Sequence, residues 1–333
     1  MIKVFDASLN YIGFLDIFNS FQCSQCYADA GSFSIKAILS QQTVELLQVG
    51  NFIQYGDFAG MIDSVQKEES DKTDLISASG YDLTGILNLR IIWDNLYFNG
   101  NSEEFLRRVV DVNAINPADA ARKIPLLELG TLSGLPQTTE RNTSNETLLE
   151  ECKKVCSVAD YGFSVTLEPR EKKMYFNVYA GEDRTAGQPR QVVLGKDYDN
   201  VATQDYIYST AEVITTCLVT AETTSVTVGG DAAGFNRKEA VIQSSQQQEE
   251  LSLEQFQNVL LSEGKAKLQD KIECFDIDIC NVSLAVGDVV TVRDRKWGIN
   301  FNTRVTEKQI TVENGEVIIT YLLGNDVIRE VSK

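Results

Sequence analysis

What most constrains the fold is where the two-residue period of β-strands occurs: it rules both ends of the chain and gives way in the middle. Near the N-terminus, short β-branched and aromatic runs alternate with turns, in IKVFDA, YIGFLD, GSFSIKAIL, NFIQYGDFAGMIDSVQKE and TDLISASGYDL. Strands this short and this closely spaced imply a barrel or a sandwich. Towards the other end AEVITTCLVTAE and TTSVTVGG alternate, ECFDIDIC follows a helix, and the chain ends in SLAVGDVVTVRDRKWGINFNTRVTEKQITVENGEVIITYLLG and a short tail. Asn314-Gly315, between TVE and EVIITYL, is the strongest hairpin signal, because a type I′ turn needs φ > 0 at both central positions.

The middle reads with a helical period. Ser102 is placed to cap a helix whose first turn carries Glu103 and Glu104 against the dipole, with Phe105, Leu106, Val109 and Val110 turned inward. Thr143 and Glu146 have capping-box spacing ahead of NETLLEECKKVCSVAD, and a hairpin follows through YGFSVTLE, PREKK and MYFNVYA. Further on, the Gln-rich stretch SSQQQEE precedes one long helix at about residues 252–271, striped by Leu253, Phe256, Leu260, Leu261 and Leu268. Gly264 inside it costs about 1 kcal/mol relative to alanine, which suggests close packing. Three regions result: residues 1–92, mainly β; 93–190, a small α+β unit; and 191–333, β again with the long helix. A chain of 333 residues exceeds one typical core, since domains run to roughly 100–150 residues, so this division is of the expected order.

Composition narrows the function. The 43% hydrophobic and 23% charged content is that of a globular protein. No run of eighteen apolar residues occurs, and Met1 opens directly on an alternating run rather than a signal-like segment, so the expectation is a soluble product of a cytoplasm with no membrane insertion. With 30 basic against 48 acidic residues the net charge is −18, which repels phosphate polymers at long range and argues against sequence-reading of nucleic acid. Histidine is absent altogether, which removes Ser-His-Asp and Cys-His catalysis and histidine-containing metal sites within the chain. No P-loop, dinucleotide fingerprint or EF-hand loop is present.

The remaining candidates are weak. Cys23 and Cys26 have C-x-x-C spacing, and Cys152 and Cys156 share a helix face, so the four could supply zinc thiolates. Leu148, Leu149, Cys152, Val155 and Cys156 equally form one apolar stripe, and the simpler expectation for all seven cysteines (Cys217, Cys274 and Cys280 included) is reduced core residues. Asp276 and Asp278 could act as a glycosidase pair, but in FDIDIC they alternate with Phe275, Ile277 and Ile279 and read as a solvated strand face. Trp93, Tyr97, Phe98 and Trp297 could stack a sugar; Trp93 lies in an apolar run expected in the core, and Trp297, between charges and Gly298, is the more exposed candidate and fits a subunit contact equally well. No catalytic, cofactor-binding or metal residue is assigned, and the chain is not read as an enzyme.

Taken in order, GSF at Gly31 to Phe33, VGNFIQYGDFAGMIDSV, GYDLTGILNLRII, YAGEDRT at Tyr179 to Thr185, GFNRKEAV from Gly234, SLEQFQNVLLSEGKAKL and the closing AVGDVVTVRDRKWGI, RVTEKQI and NGEVIITYLLG resemble the Gp37-like tail proteins of long-tailed phages, relatives of baseplate hub and tail-associated proteins. The resemblance implies two β-barrel-type hub domains, 1–92 and 191–333, flanking the α+β insertion 93–190. It implies a structural component of a virion tail tip: a homotrimer whose six barrels form a ring, adapting a sixfold tail tube to a threefold tip. Expected neighbours are a distal tail protein and the tail tube above, and spike, fibre or tape-measure proteins below, with DNA only as passing cargo. The alternative is a carbohydrate-binding or glycoside-hydrolysing tail-tip protein.

Overall fold

The computed structural model describes residues 1–69, 73–222, 224–248, 251–279, 281–313 and 315–324. The first region contributes β1 (Ile2–Phe5), β2 (Tyr11–Leu15), β3 (Ser20–Cys26), β4 (Ser32–Ile38), the short helix α1 (Gln41–Leu46), β5 (Phe52–Tyr55), β6 (Phe58–Glu68) and β7 (Leu75–Asp82). The middle adds β8 (Leu96–Asn101), α2 (Ser102–Val110), β9 (Leu127–Leu129), β10 (Thr138–Thr143), α3 (Leu148–Ala159), β11 (Gly162–Glu168) and β12 (Lys173–Tyr179). The last region holds β13 (Val193–Leu194), β14 (Val201–Ser209), β15 (Thr216–Thr220), β16 (Ser225–Gly229), β17 (Glu239–Gln243), α4 (Leu253–Lys267), β18 (Ile272–Ile279), β19 (Val289–Asp294), β20 (Ile299–Glu313) and β21 (Glu316–Gly324). With 46% strand and 20% helix the protein is mainly β, as expected.

The two strand-rich ends are one sheet. Its main path runs β14-β18-β21-β20-β3-β4-β7-β6-β5-β1-β2, with β19 and β13 attached beside β20. The expected closed barrels are therefore not found among the described residues. The reason is at β3, whose second edge does not return to its own half but pairs antiparallel with β20, Ser20 to Cys26 against Glu313 to Glu307. Alternation still sorts the side chains: Phe21, Ile35 and Phe58 are buried on one side of the first half, with Phe58 edge-on to Phe21 at 6.2 Å and to Phe33 at 5.9 Å. A second core lies in the other half around Phe275, Ile277, Val290 and Leu323.

The helices form where expected but begin elsewhere. Asn101, not Ser102, caps α2, its Oδ1 accepting from Glu104 N at 3.0 Å, while Ser102 is the buried first residue. Thr147, not Thr143, caps α3, because Thr143 is taken up in β10 opposite Leu96. Arg141 of β10 reaches α3 with two hydrogen bonds to the buried Glu151 carboxylate, 2.9 and 2.7 Å. The long helix is 15 residues, α4, not the expected twenty: Leu268 turns extended so that Gln269 can bridge Ile214 and lead into β18. Leu253 at its first position is exposed, whereas Phe256 and Leu260 are buried against β15 and β16, and Val259 is buried beside Arg141 to Thr143 of β10. Gly264 meets the expectation of close packing, since a Cβ there would lie 2.5 Å from Val228 Cγ2 and 2.9 Å from Val219 Cγ2.

At the closing hairpin Glu313 pairs with Glu316, and Gly315 has φ +84. Asn314 lies outside the described residues, as does Cys280. The other six cysteines are buried and unbridged. Cys152 and Cys156 sit in the core of the middle region, Cys23 in that of the first.

Candidate functional site

The three regions meet around Tyr27, just past β3. Its ring is crossed edge-on by Tyr179 at 5.4 Å and faced by the Arg304 guanidinium at 4.7 Å. The hydroxyl lies 3.0 Å from the Asp160 carbonyl and 3.1 Å from that of Ala180. Arg304, from β20, donates to the carbonyls of Ala180 and Gly287, both at 2.7 Å, and to the Asp160 carboxylate at 2.5 Å. One arginine thus ties the end of α3, the end of β12 and the turn before β19 to a tyrosine of the N-terminal sheet. Gly287 is required twice over, by its φ of +98 and by the Tyr27 ring 2.8 Å from where a Cβ would stand. Burial pushes the Tyr27 hydroxyl above its ordinary pKa and keeps it a donor.

Beside this junction is a cleft of about 480 Å³, lined by Asp82, Glu182, Arg184, Arg190, Asp288 and Lys308 among others. Three of its acids, Asp82, Glu182 and Asp288, hold structure. Asp288 accepts from Arg184 Nη1 and from Ala285 N, both at 3.0 Å, and Glu182 from Arg190 at 2.9 Å. Asp82 caps the 3₁₀ turn Leu83–Leu89, accepting from Gly85 N at 3.3 Å, and burial raises its pKa to about 7. The Thr84 hydroxyl, also in the cleft lining, donates to the Asp82 carboxylate at 3.3 Å, and the arrangement holds elements in place.

The residues singled out from the sequence do not assemble into one site. Asp276 and Asp278 do share the face opposite Phe275 and Ile277. Asp276 stands across from Asp205 of β14, and Asp278 accepts from Thr320 at 2.7 Å and from Thr203. Burial raises the Asp276 pKa, and Asp278, Asp205 and Glu307 add to the rise. Trp297 is half-exposed, with its backbone N–H on the Asp294 carboxylate at 2.9 Å and its ring stacked on Tyr206 at 6.3 Å. Trp93, expected in the core, is the more exposed of the two tryptophans, 63% against 43%. The cause is local: after the 3₁₀ turn ending at Leu89 the chain is extended from Arg90, so Ile92 is buried while Ile91 and Trp93 on either side of it face out. Tyr97 donates to Glu140 at 2.8 Å, and Phe98 packs on Phe105 at 5.4 Å. Among the described residues no three Cys, Asp or Glu side chains converge as a metal site.

What the sequence did not disclose is a polar face running across the large sheet. Ladder register lines up Ser64, Ser79, Ser34, Gln22 and Thr311 in one row over β6, β7, β4, β3 and β20. A neighbouring row continues through Gln309, Thr320, Asp278 and Thr203 to β14. Hydroxyls and one amide make up the first row; the second adds the Asp278 carboxylate. Period-two polar residues in QCSQ, SFSI and ISAS carried the signal, but only the pairing shows that they adjoin.

This layout, two strand-rich ends fused through one sheet about an α+β unit, is a fold found in solved phage tail proteins. The fold is shared with the tail protein from Neisseria meningitidis MC58 (TM-score 0.57, 14% identity, 98% of this chain and 96% of that one). It is shared likewise with the 43 kDa tail protein of prophage MuSo2 from Shewanella oneidensis (0.59, 14%, 97% and 97%) and with prophage tail protein gp18 from Listeria monocytogenes EGD-e (0.58, 12%, 98% and 94%). No curated protein matches. Residues 1–325 match the siphovirus ReqiPepy6 Gp37-like proteins, and the chain belongs to that family, as the order of its motifs implied.

Proposed function

We propose that the protein is a structural subunit of a virion tail tip, a hub in which three copies close a ring around the central channel, with no catalytic role. The observation that carries this reading is the stretch β6-β7-β4-β3-β20-β21-β18-β14 of the sheet, eight strands with every adjacent pair antiparallel, beyond which β5, β1 and β2 continue only from the residue 58–61 half of β6. An even number of alternating strands leaves the two outer ones pointing in opposite directions. The residue 64–68 half of β6 pairs only with β7, and β14 only with β18, among the described residues. Copies joined head to tail, β14 of one against β6 of the next, would continue the antiparallel alternation without a break. Such heterologous contacts form rings when the rotation closes, and edges paired in this way are no longer templates for aggregation.

In that ring, residues 1–92 and 191–333 serve as the two hub domains and 93–190 as the outer insertion. The polar rows of Ser, Thr, Gln and Asp line the channel, and a wall with few cations lets DNA pass without the counterion-releasing contacts that would hold it. The tail tube and a distal tail protein lie above, and spike, fibre or tape-measure proteins below. The test is mass in solution, alone and with the adjoining tail proteins. The reading expects a species near 111 kDa, three times 37.0 kDa. A chain that stays monomeric and never enters a tail-tip ring contradicts it.

A further inference from the structure

Residues 89–93, where the first region passes into the middle one, form an apolar strip bridged to Thr147 ahead of α3. Leu89, Ile91 and Trp93 are 56%, 41% and 63% exposed, and Val112 adjoins them through Asn113, whose Oδ1 accepts from Trp93 N at 3.3 Å. The strip is held rigidly: Ile92 N donates to Glu146 O at 2.7 Å, Asn145 N to Ile92 O at 2.8 Å, and Leu148 N to Arg90 O at 2.9 Å. Arg122 lies over the Trp93 ring at 4.9 Å and donates to Ile91 O at 2.5 Å and to Asn113 Oδ1 at 3.3 Å. Arg90 donates to the carbonyls of Leu89, Arg122 and Lys123. Both guanidinium groups are fixed by neutral acceptors, and neither forms an ion pair among the described residues.

We propose that this strip docks an acidic, extended segment of a different tail polypeptide, its apolar side chains on Leu89, Ile91 and Trp93 and its carboxylates on Arg90 and Arg122. The chemistry is complementary on both counts. A tryptophan and an arginine at the centre of an exposed apolar strip are the residue types that dominate binding energy. At the contact, two cations without carboxylate partners favour an acidic segment over a basic one, against the long-range repulsion from a chain of net charge −18. The choice of a different polypeptide rests on the hub reading, which gives contacts between copies to the edges of β6 and β14.

The chain has two tryptophans, so Trp297→Phe leaves Trp93 as the only indole and its emission as a direct report on the strip. The titrant is a synthetic peptide alternating Asp with Leu and Phe; the control has Lys in place of Asp. The proposal expects a saturable blue shift with the acidic peptide alone. Affinity falls tenfold or more in Arg122→Gln, and it weakens as salt rises from about 0.05 to about 0.5 M, where the Debye length shrinks to a few ångströms. Trp93→Ala, checked for folding by circular dichroism, keeps the ring mass and fails to compete for the peptide. No shift up to about millimolar peptide, or equal shifts with both peptides, overturns the proposal. So does a blue shift that grows with protein concentration and no peptide, which identifies a second copy as the occupant. Failure of ring assembly in unsubstituted protein overturns the hub reading instead and leaves the peptide result standing.

Discussion

At the scale of single residues, Arg304 and Asp82 bear the sharpest expectations. Arg304 joins three carbonyl or carboxylate acceptors and the Tyr27 ring from one planar group, a fork that lysine cannot copy. Arg304→Lys is expected to lower stability by about 1–3 kcal/mol and Arg304→Ala by more, read as the denaturant midpoint, because buried carbonyls lose their donor. Asp82 has a folded pKa of about 7 against 3.8 for the free group. The folded state therefore binds more protons than the unfolded one between those values, and stability falls as pH rises through the window at up to roughly 1.4 kcal/mol per pH unit. Asp82→Asn keeps an oxygen for Gly85 N and removes the ionisation. It is expected to flatten the thermal midpoint between pH 4 and 7 and to exceed the parent protein's at pH 8; an unchanged slope refutes this account. Burial at this scale was only partly legible. FDIDIC sorted its aspartates correctly because a regular strand follows its period, whereas RIIWDNLYF looked like core because a run of apolar letters hides which alternate residues point out.

At the scale of elements, α4 separates propensity from packing. Alanine favours a helix over glycine by about 1 kcal/mol, yet a methyl at Gly264 meets the stiff branched side chains of Val228 and Val219 at under 3 Å. Gly264→Ala is expected to destabilise by about 1–3 kcal/mol despite the better propensity, measured by chemical unfolding; a gain in stability would mean the sheet of β15, β16 and β17 yields easily. That the glycine signals close approach was readable from its place in an apolar stripe. The helix ends were not, because caps compete locally: Asn101 at the end of β8 caps α2 and leaves Ser102 as its first residue, Thr147 caps α3 because β10 claims Thr143, and Leu268 ends α4 where Gln269 bridges Ile214.

At the scale of the whole molecule, strand content and the order of the three regions could be read from periodicity, and the family from motif order. The pairing of β3 with β20 could not, since nothing local in either strand names a partner some 280 residues away, and loop closure over that distance is specified only by the folded whole. That one ladder turns two expected barrels into a continuous sheet, aligns the polar rows and leaves β14 and the residue 64–68 half of β6 open, besides the terminal strand β2. The central claim is that these edges close the ring, and hydrogen exchange on isolated chain and assembled ring tests it most directly. The account predicts that amides in residues 64–68 of β6 and 201–209 of β14 gain protection on assembly while those of β4 and β21, already paired on both sides, do not change. A ring that forms with both edges exchanging as fast as in the free chain would contradict it.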